Sequence, residues 1–175
     1  SQISPPILDT LPAATPSSTI IITGRALYEE GQVEIYINGS LTNTVLLNGQ
    51  ADFSEEVNLS EGDNFIKARY SSSKQELSEF TEEERVTYFK DAPKLEILSP
   101  ADGTSFSKGN QEIEIKGETN PENSVTVNGF RAIVESNGSF NYGLRLSDGE
   151  NKIEIISQNL VDSKTIKSIT VFYNP

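Results

Sequence analysis

Five carboxylates fall within nine positions, at Glu76, Glu79, Glu82, Glu83 and Glu84. Hard cations such as calcium take several carboxylate and carbonyl oxygens converging at about 2.3 to 2.6 Å, so this run is a candidate cation or partner site. No Asp-x-Asp-x-Asp-Gly loop accompanies it, Asp91 and Asp102 are too sparse for a calcium-bound linker, and the favoured reading is a solvated acidic loop. Leu77 and Phe80 lie three apart within the run, as on one helical turn, so a short turn or helix is expected there.

The remaining chemistry is limited by composition. The 175 residues include no His, Cys, Met or Trp. That removes Ser-His-Asp and Cys nucleophiles, disulfides, and thiolate or imidazole metal sites. A glycosidase would need two carboxylates about 5 to 10 Å apart in a cleft. Among 26 acidic residues some pair always lies that close, so proximity alone selects nothing. Sugar binding without catalysis needs exposed rings, for which Tyr28, Tyr36 and Tyr142 are the candidates. A Tyr on a strand more often packs or covers an edge, whereas Phe53, Phe140, Tyr70 and Tyr88 are assigned to cores. Lys94 and Asn174, at the two ends of the second half, are the conceivable partners of an autocatalytic Lys-Asn isopeptide bond. Such a bond requires both groups buried, and these flank prolines, so it is not expected. The sequons at Asn38, Asn58 and Asn137 matter only in a eukaryotic secretory route. No catalytic, cofactor-binding or metal-ligating residue is therefore assigned. The net charge of −12 and a pI near 4.4 argue against nucleic acid and anionic membrane as partners.

Short runs of period two must position these groups. Ile20 and Ile22, then Val33, Ile35 and Ile37, alternate with polar residues as half-buried strands do, and nothing shows sustained helical spacing. The same order of signals occurs twice. The first pass reads Ile20-Ile21-Ile22-Thr23-Gly24, Val33-Glu34-Ile35-Tyr36-Ile37-Asn38-Gly39, a second Asn48-Gly49, Phe53, and Leu59-Ser60-Glu61-Gly62-Asp63-Asn64-Phe65-Ile66. The second reads Ile113-Glu114-Ile115-Lys116-Gly117, Val125-Thr126-Val127-Asn128-Gly129, Asn137-Gly138, Phe140, and Leu146-Ser147-Asp148-Gly149-Glu150-Asn151-Lys152-Ile153. Asn-Gly between alternating runs signals a hairpin whose central residues need positive φ, and two per repeat imply a three-strand meander. About seven strands per repeat fit a two-sheet sandwich.

The string Val-x-Val-Asn-Gly, Asn-Gly-Ser-Phe, Leu-x-Leu-Ser-Asp-Gly-Glu-Asn-x-Ile resembles bacterial Ig-like repeats similar to domain B of glucodextranase. The resemblance covers residues 19–89 and 94–173 and is close in the second repeat. In the first, two residues are inserted between Gly49 and Phe53, and the span from Ile66 to Val86 is four longer than that from Ile153 to Ile169. The resemblance implies small β-sandwiches of extracellular and surface proteins, acting as spacers, adhesion modules or appendages of carbohydrate-active enzymes. It carries no catalytic residues.

The expected architecture is all-β, with two tandem immunoglobulin-like β-sandwich domains. A Pro/Ser/Thr-rich tether occupies residues 1–18, with Ile7 to Leu11 a candidate edge strand, followed by sandwiches at 19–92 and 93–175. Buried sets are expected at Ile22, Ile35, Ile37, Phe53, Leu59, Ile66, Ala68 and Val86, and at Ile115, Val125, Val127, Phe140, Leu146, Ile153, Ile155 and Ile169. The four-residue connection Lys90-Asp91-Ala92-Pro93 is expected to hold the pair as an extended rod. A start at Ser1 without Met suggests a processed piece of a longer bacterial protein, and the ending Phe172-Tyr173-Asn174-Pro175 suggests that a further module follows. The functional expectation is a non-catalytic extracellular or cell-surface spacer or adhesion module, and the alternative is a carbohydrate-binding appendage of a polysaccharide-active enzyme. Its expected partners are other domains of the same protein, with surface proteins or glycans as further candidates, and no cofactor. No stretch is apolar enough for membrane insertion.

Overall fold

The computed structural model of the chain describes residues 2–175 and contains sixteen β-strands, with no helix among the described residues. Two compact units meet in sequence between Lys90 and Asp91. Each has its own apolar core, and all sixteen side chains expected inside are buried there.

The first unit comprises β1 (Ile7–Leu8), β2 (Ala14–Thr15), β3 (Thr19–Arg25), β4 (Gln32–Ile37), β5 (Ser40–Leu46), β6 (Asp52–Asn58), β7 (Gly62–Ser71) and β8 (Glu84–Tyr88). They form a three-stranded sheet, β1-β3-β6, and a five-stranded sheet, β2-β8-β7-β4-β5. Period-two alternation sends Val33, Ile35 and Ile37 of β4, and Ile66, Ala68 and Tyr70 of β7, into the space between the sheets. The Pro-rich segment expected as a tether lies along this unit instead. Ile3, Leu8 and Leu11 pack against its core, β1 pairs with β3, and β2 runs parallel to β8.

The second unit comprises β9 (Leu95–Ser99), β10 (Ser105–Ser107), β11 (Glu112–Thr119), β12 (Ser124–Val127), β13 (Phe130–Val134), β14 (Ser139–Arg145), β15 (Gly149–Gln158) and β16 (Lys164–Asn174). Its strands form one hydrogen-bonded series, β10-β16-β15-β12-β13-β14-β11-β9, folded into two layers. The crossing strand is β13. Its first half pairs with β12, and Ile133 and Val134 pair with Asn141 and Phe140 of β14. The expected three-strand meander is therefore present here as β12-β13-β14.

In the first unit the meander fails. There β5 pairs only with β4, and the turn at Asn48-Gly49 redirects the chain to the other sheet. The two inserted residues belong to this redirection, in which Gln50 N–H donates to Leu47 O and Ala26 N–H to Ala51 O. Across the unclosed side, Asn43 Nδ2 of β5 donates to Glu56 O of β6 at 3.3 Å.

The repeated residues perform the same structural work in both units. Asn38 and Asn128 sit at φ of 53° and 49°, followed by Gly39 and Gly129 at 82° and 84°, as a type I′ turn requires. Asn64 accepts the N–H of Ser60 on Oδ1 and donates Nδ2 to the Ser60 and Gly62 carbonyls. Asn151 does the same with Ser147 and Gly149. A Cβ on Gly24 would lie 2.5 Å from Ile7 O and 2.8 Å from the Phe53 ring. One on Gly117 would lie 2.5 Å from Glu96 O and closer still to the Phe140 ring. Glycine at these two positions lets an edge strand and a core Phe share one site.

Candidate functional site

The acidic run is not helical. Residues 77–81 extend along β7 and are pinned to it by side chains standing in for a ladder. The Tyr70 N–H donates to Ser78 Oγ at 2.8 Å and the Ala68 N–H to Thr81 Oγ1 at 3.0 Å, while Ser78 N–H and Thr81 N–H return bonds to the Tyr70 and Ala68 carbonyls. The three-residue spacing of Leu77 and Phe80 therefore does not pair them on one face. Leu77 points to solvent, and Phe80 folds over the outer face of the five-stranded sheet. Glu76, Glu79, Glu82 and Glu83 are exposed along this strap, and among the described residues no three Asp or Glu side chains converge as a metal group.

Beneath Phe80 lies a cluster of polar side chains. The register Tyr36↔Lys67 and Glu34↔Arg69 places four alternating residues on one outer face. Phe80 meets Tyr36 edge to face at 5.0 Å, and Lys67 Nζ and the Arg69 guanidinium lie 4.4 and 4.9 Å from the Phe80 centroid. Arg69 also donates Nε to Glu34 Oε2 at 3.3 Å and Nη2 to the Tyr36 hydroxyl at 2.8 Å. The Glu34 side chain is only 9% exposed, so this ion pair is largely withdrawn from water. Tyr36, considered as a sugar platform, is instead covered by Phe80 and tied to Arg69. Sequence reasoning missed the Glu34–Arg69 pair. Both residues occupy outward positions of alternating runs, but the register that joins them is a tertiary fact.

Other candidate groups are also taken up by folding contacts. Tyr28 stacks on Tyr70 at 4.5 Å, and its hydroxyl accepts the Ser4 N–H. Tyr70 is buried and donates its hydroxyl to Glu30 O at 2.7 Å. Burial first, then the proximity of Tyr28 and Glu30, pushes its phenol above the ordinary range. Tyr142 and Tyr88 are half-buried against their respective cores. Carboxylates beside the shallow groove between β11 and β14 face cations, Glu112 with Arg145 at 3.5 Å and Glu114 with Lys116 at 3.8 Å.

Lys94 and Asn174 are both exposed and lie far apart. Pro93 O is bonded to Thr165 at the start of β16, whereas Asn174 ends that strand about 30 Å away along its axis. They form no isopeptide pair. Of the sequon residues, Asn38 accepts the Phe65 N–H on Oδ1, and Asn137 Oδ1 accepts the Ser139 N–H and hydroxyl, so both side chains serve their turns.

Residues 93–174 match the family described as glucodextranase, domain B. A relative in sequence is Bacillopeptidase F of Bacillus subtilis (strain 168), 32% identical over 91 residues, which are 51% of this chain and 6% of that protein. The chain thus spans a small part of that relative's length. In structure, the chain is similar to the fibronectin(III)-like modules of Clostridium thermocellum CbhA, at 16% identity and a TM-score of 0.51 over 97% of this chain and 94% of that one. That likeness is one of fold. The chain is an all-β protein with an immunoglobulin- and fibronectin III-like fold, and the family match falls on its second unit.

Proposed function

We propose that the chain is a non-catalytic spacer of a larger bacterial protein, working outside the cell or at its surface to hold other domains apart or to contribute to adhesion. The observation that carries this reading is where the duplicated polar residues go. Asn38 and Asn128, Asn64 and Asn151, and Gly24 and Gly117 all serve turns, corners and close strand packing, so what the two units share is a way of folding. The match to one lettered domain of a glucodextranase, and to 6% of a much longer peptidase, supports placing the chain as one part among several. Its partners on this reading are the neighbouring domains of its own protein.

A glycan array probed with the purified chain at high micromolar concentration tests the assignment. A spacer gives no binding. Retention of a polysaccharide would make the chain a carbohydrate-binding appendage instead.

A further inference from the structure

We propose that both units are built to bear tension, each through a parallel strand pair that shields its core from a pull along the chain. The proposal rests on the spacer reading, since a linking segment is the kind that experiences such a pull.

In the first unit β2 runs parallel to β8, Ala14 opposite Thr87 and Thr15 opposite Tyr88. The Thr87 N–H donates to Ala13 O at 3.0 Å and the Phe89 N–H to Thr15 O at 2.9 Å. In the second, β10 runs parallel to β16 through Ser105↔Phe172, Phe106↔Tyr173 and Ser107↔Asn174. The Phe172 N–H donates to Thr104 O at 2.9 Å, the Gly103 N–H to Thr170 O at 2.7 Å, and the Thr170 N–H to Asp102 Oδ1 at 2.7 Å.

Parallel pairing decides how these bonds are loaded. The incoming end of the first strand and the outgoing end of the second lie at opposite ends of the pair, so tension slides one strand along the other. Bonds sheared in this way share the load and yield together, whereas antiparallel strands pulled from adjacent ends peel bond by bond. The buried residues from Ile20 to Val86 all lie, in sequence, between the two sides of the first clamp. In the second, the core residues from Ile115 to Ile169 lie between the two sides of the clamp, while Val171 and Tyr173 belong to the clamp strand β16 and Leu95 precedes the clamp on β9. Force first meets the antiparallel edge strands β1 and β9, which precede the clamps, and then crosses each unit at its clamp. The core strands lying in sequence between the two sides of a clamp are therefore reached only after it breaks.

The second unit is fastened more heavily. Where the chain enters it, Thr165 Oγ1 donates to Pro93 O at 2.6 Å, Lys94 N–H donates to Asn120 Oδ1 at 3.1 Å, and Thr119 Oγ1 donates to Lys94 O at 2.6 Å. Thr119 is itself hydrogen-bonded to the buried Ser157. With a two-pair clamp against a three-pair clamp and these side-chain bonds, the first unit yields first.

Single-molecule stretching of the whole chain between terminal handles tests this. Two events are expected, each releasing on the order of 250 Å of chain. Thr87→Pro, which removes the donor to Ala13 O, should lower the force of one event, and Phe172→Pro that of the other. Thr87→Val keeps the N–H and serves as control. Because a proline can disturb folding, a second arm leaves the clamps intact and changes the direction of pull. The chain has no Cys, so handles can be placed at D148C and N174C, on adjacent ends of the antiparallel pair β15–β16. The second unit should then open at a clearly lower force than in end-to-end pulling. Equal forces in the two geometries would overturn the proposal, as would folded proline variants with unchanged forces. Failure here leaves the spacer reading standing, and glycan binding would overturn that reading without touching the force result.

Discussion

Asn38 and Phe65 bracket each other across two strands. The Phe65 N–H donates to Asn38 Oδ1 at 2.9 Å while the Asn38 N–H donates to Phe65 O at 2.9 Å. Asn128 and Glu154 repeat the bracket in the second unit at 2.8 and 2.9 Å. Asn is required twice over, for a left-handed backbone and for its carbonyl. Asn38→Gly keeps the turn and loses one bond, and should cost about 1 kcal/mol. Asn38→Ala adds the left-handed penalty and should cost about 2 to 3 kcal/mol in denaturant unfolding of the first unit. Equal losses in the two variants would show that the side-chain bond dominates.

Gly117→Ala should destabilise the second unit by about 1 to 3 kcal/mol or more, because the new methyl meets both the Phe140 ring and the Glu96 carbonyl. Phe140→Leu made alongside should recover part of this loss by vacating ring volume. Gly143→Ala is the control, since open space surrounds that position. Urea midpoints of the three variants decide it.

Arg69→Met leaves the Glu34 carboxylate largely buried without its cation. It should cost about 3 kcal/mol, and Glu34→Met in the same chain should restore most of that. A double-mutant cycle on thermal unfolding reads the coupling directly. Near-additive losses would mean that Arg69 acts mainly through Tyr36 and Phe80.

The raised Tyr70 pKa carries a pH signature. Its neutral form is favoured in the folded state, so the associated stability is fully present below the unfolded Tyr value, about 10, and is lost as pH rises through the folded pKa. The first unit should therefore lose melting temperature in the alkaline range. Tyr70→Phe should flatten that decline while lowering stability at neutral pH by about 1 kcal/mol through loss of the bond to Glu30. A decline unchanged in Tyr70→Phe would place its origin elsewhere.

The apolar alternation of Val33, Ile35 and Ile37, and of Ile153 and Ile155, made the cores legible, because a strand with one wet face has no other way to arrange such a run. The Asn-Gly pairs marked turns correctly but could not say which strands they join. Asn137 departs even in backbone: only Gly138 has positive φ there, and its N–H donates to Glu135 O, so this loop is a three-residue connection rather than a type I′ turn. The short turn or helix expected at Leu77 and Phe80 is absent for a specific reason. Ser78 and Thr81 offer hydroxyls that accept the free N–H groups of β7, and that extended arrangement satisfies more buried backbone than an isolated turn could. The tether expectation failed because Ile3, Leu8 and Leu11 supply enough apolar surface to hold a Pro-rich segment down.

The strand β5 ends its sheet, paired with β4 on one side only, while its counterpart β13 is paired on both sides. Ser40–Leu46 reads Ser-Leu-Thr-Asn-Thr-Val-Leu, with no charge and no proline, and Leu41 and Leu46 are exposed on it. An uncharged open edge is a template for strand pairing between molecules. What stands beside it is β6, with Asp52 and Glu56 exposed and Asn43 reaching across to Glu56 O. The anionic side chains of β6 thus act as gatekeepers for a strand that has none, and their electrostatic protection weakens as salt screens them. Aggregation of this protein at high salt should begin at Ser40–Leu46.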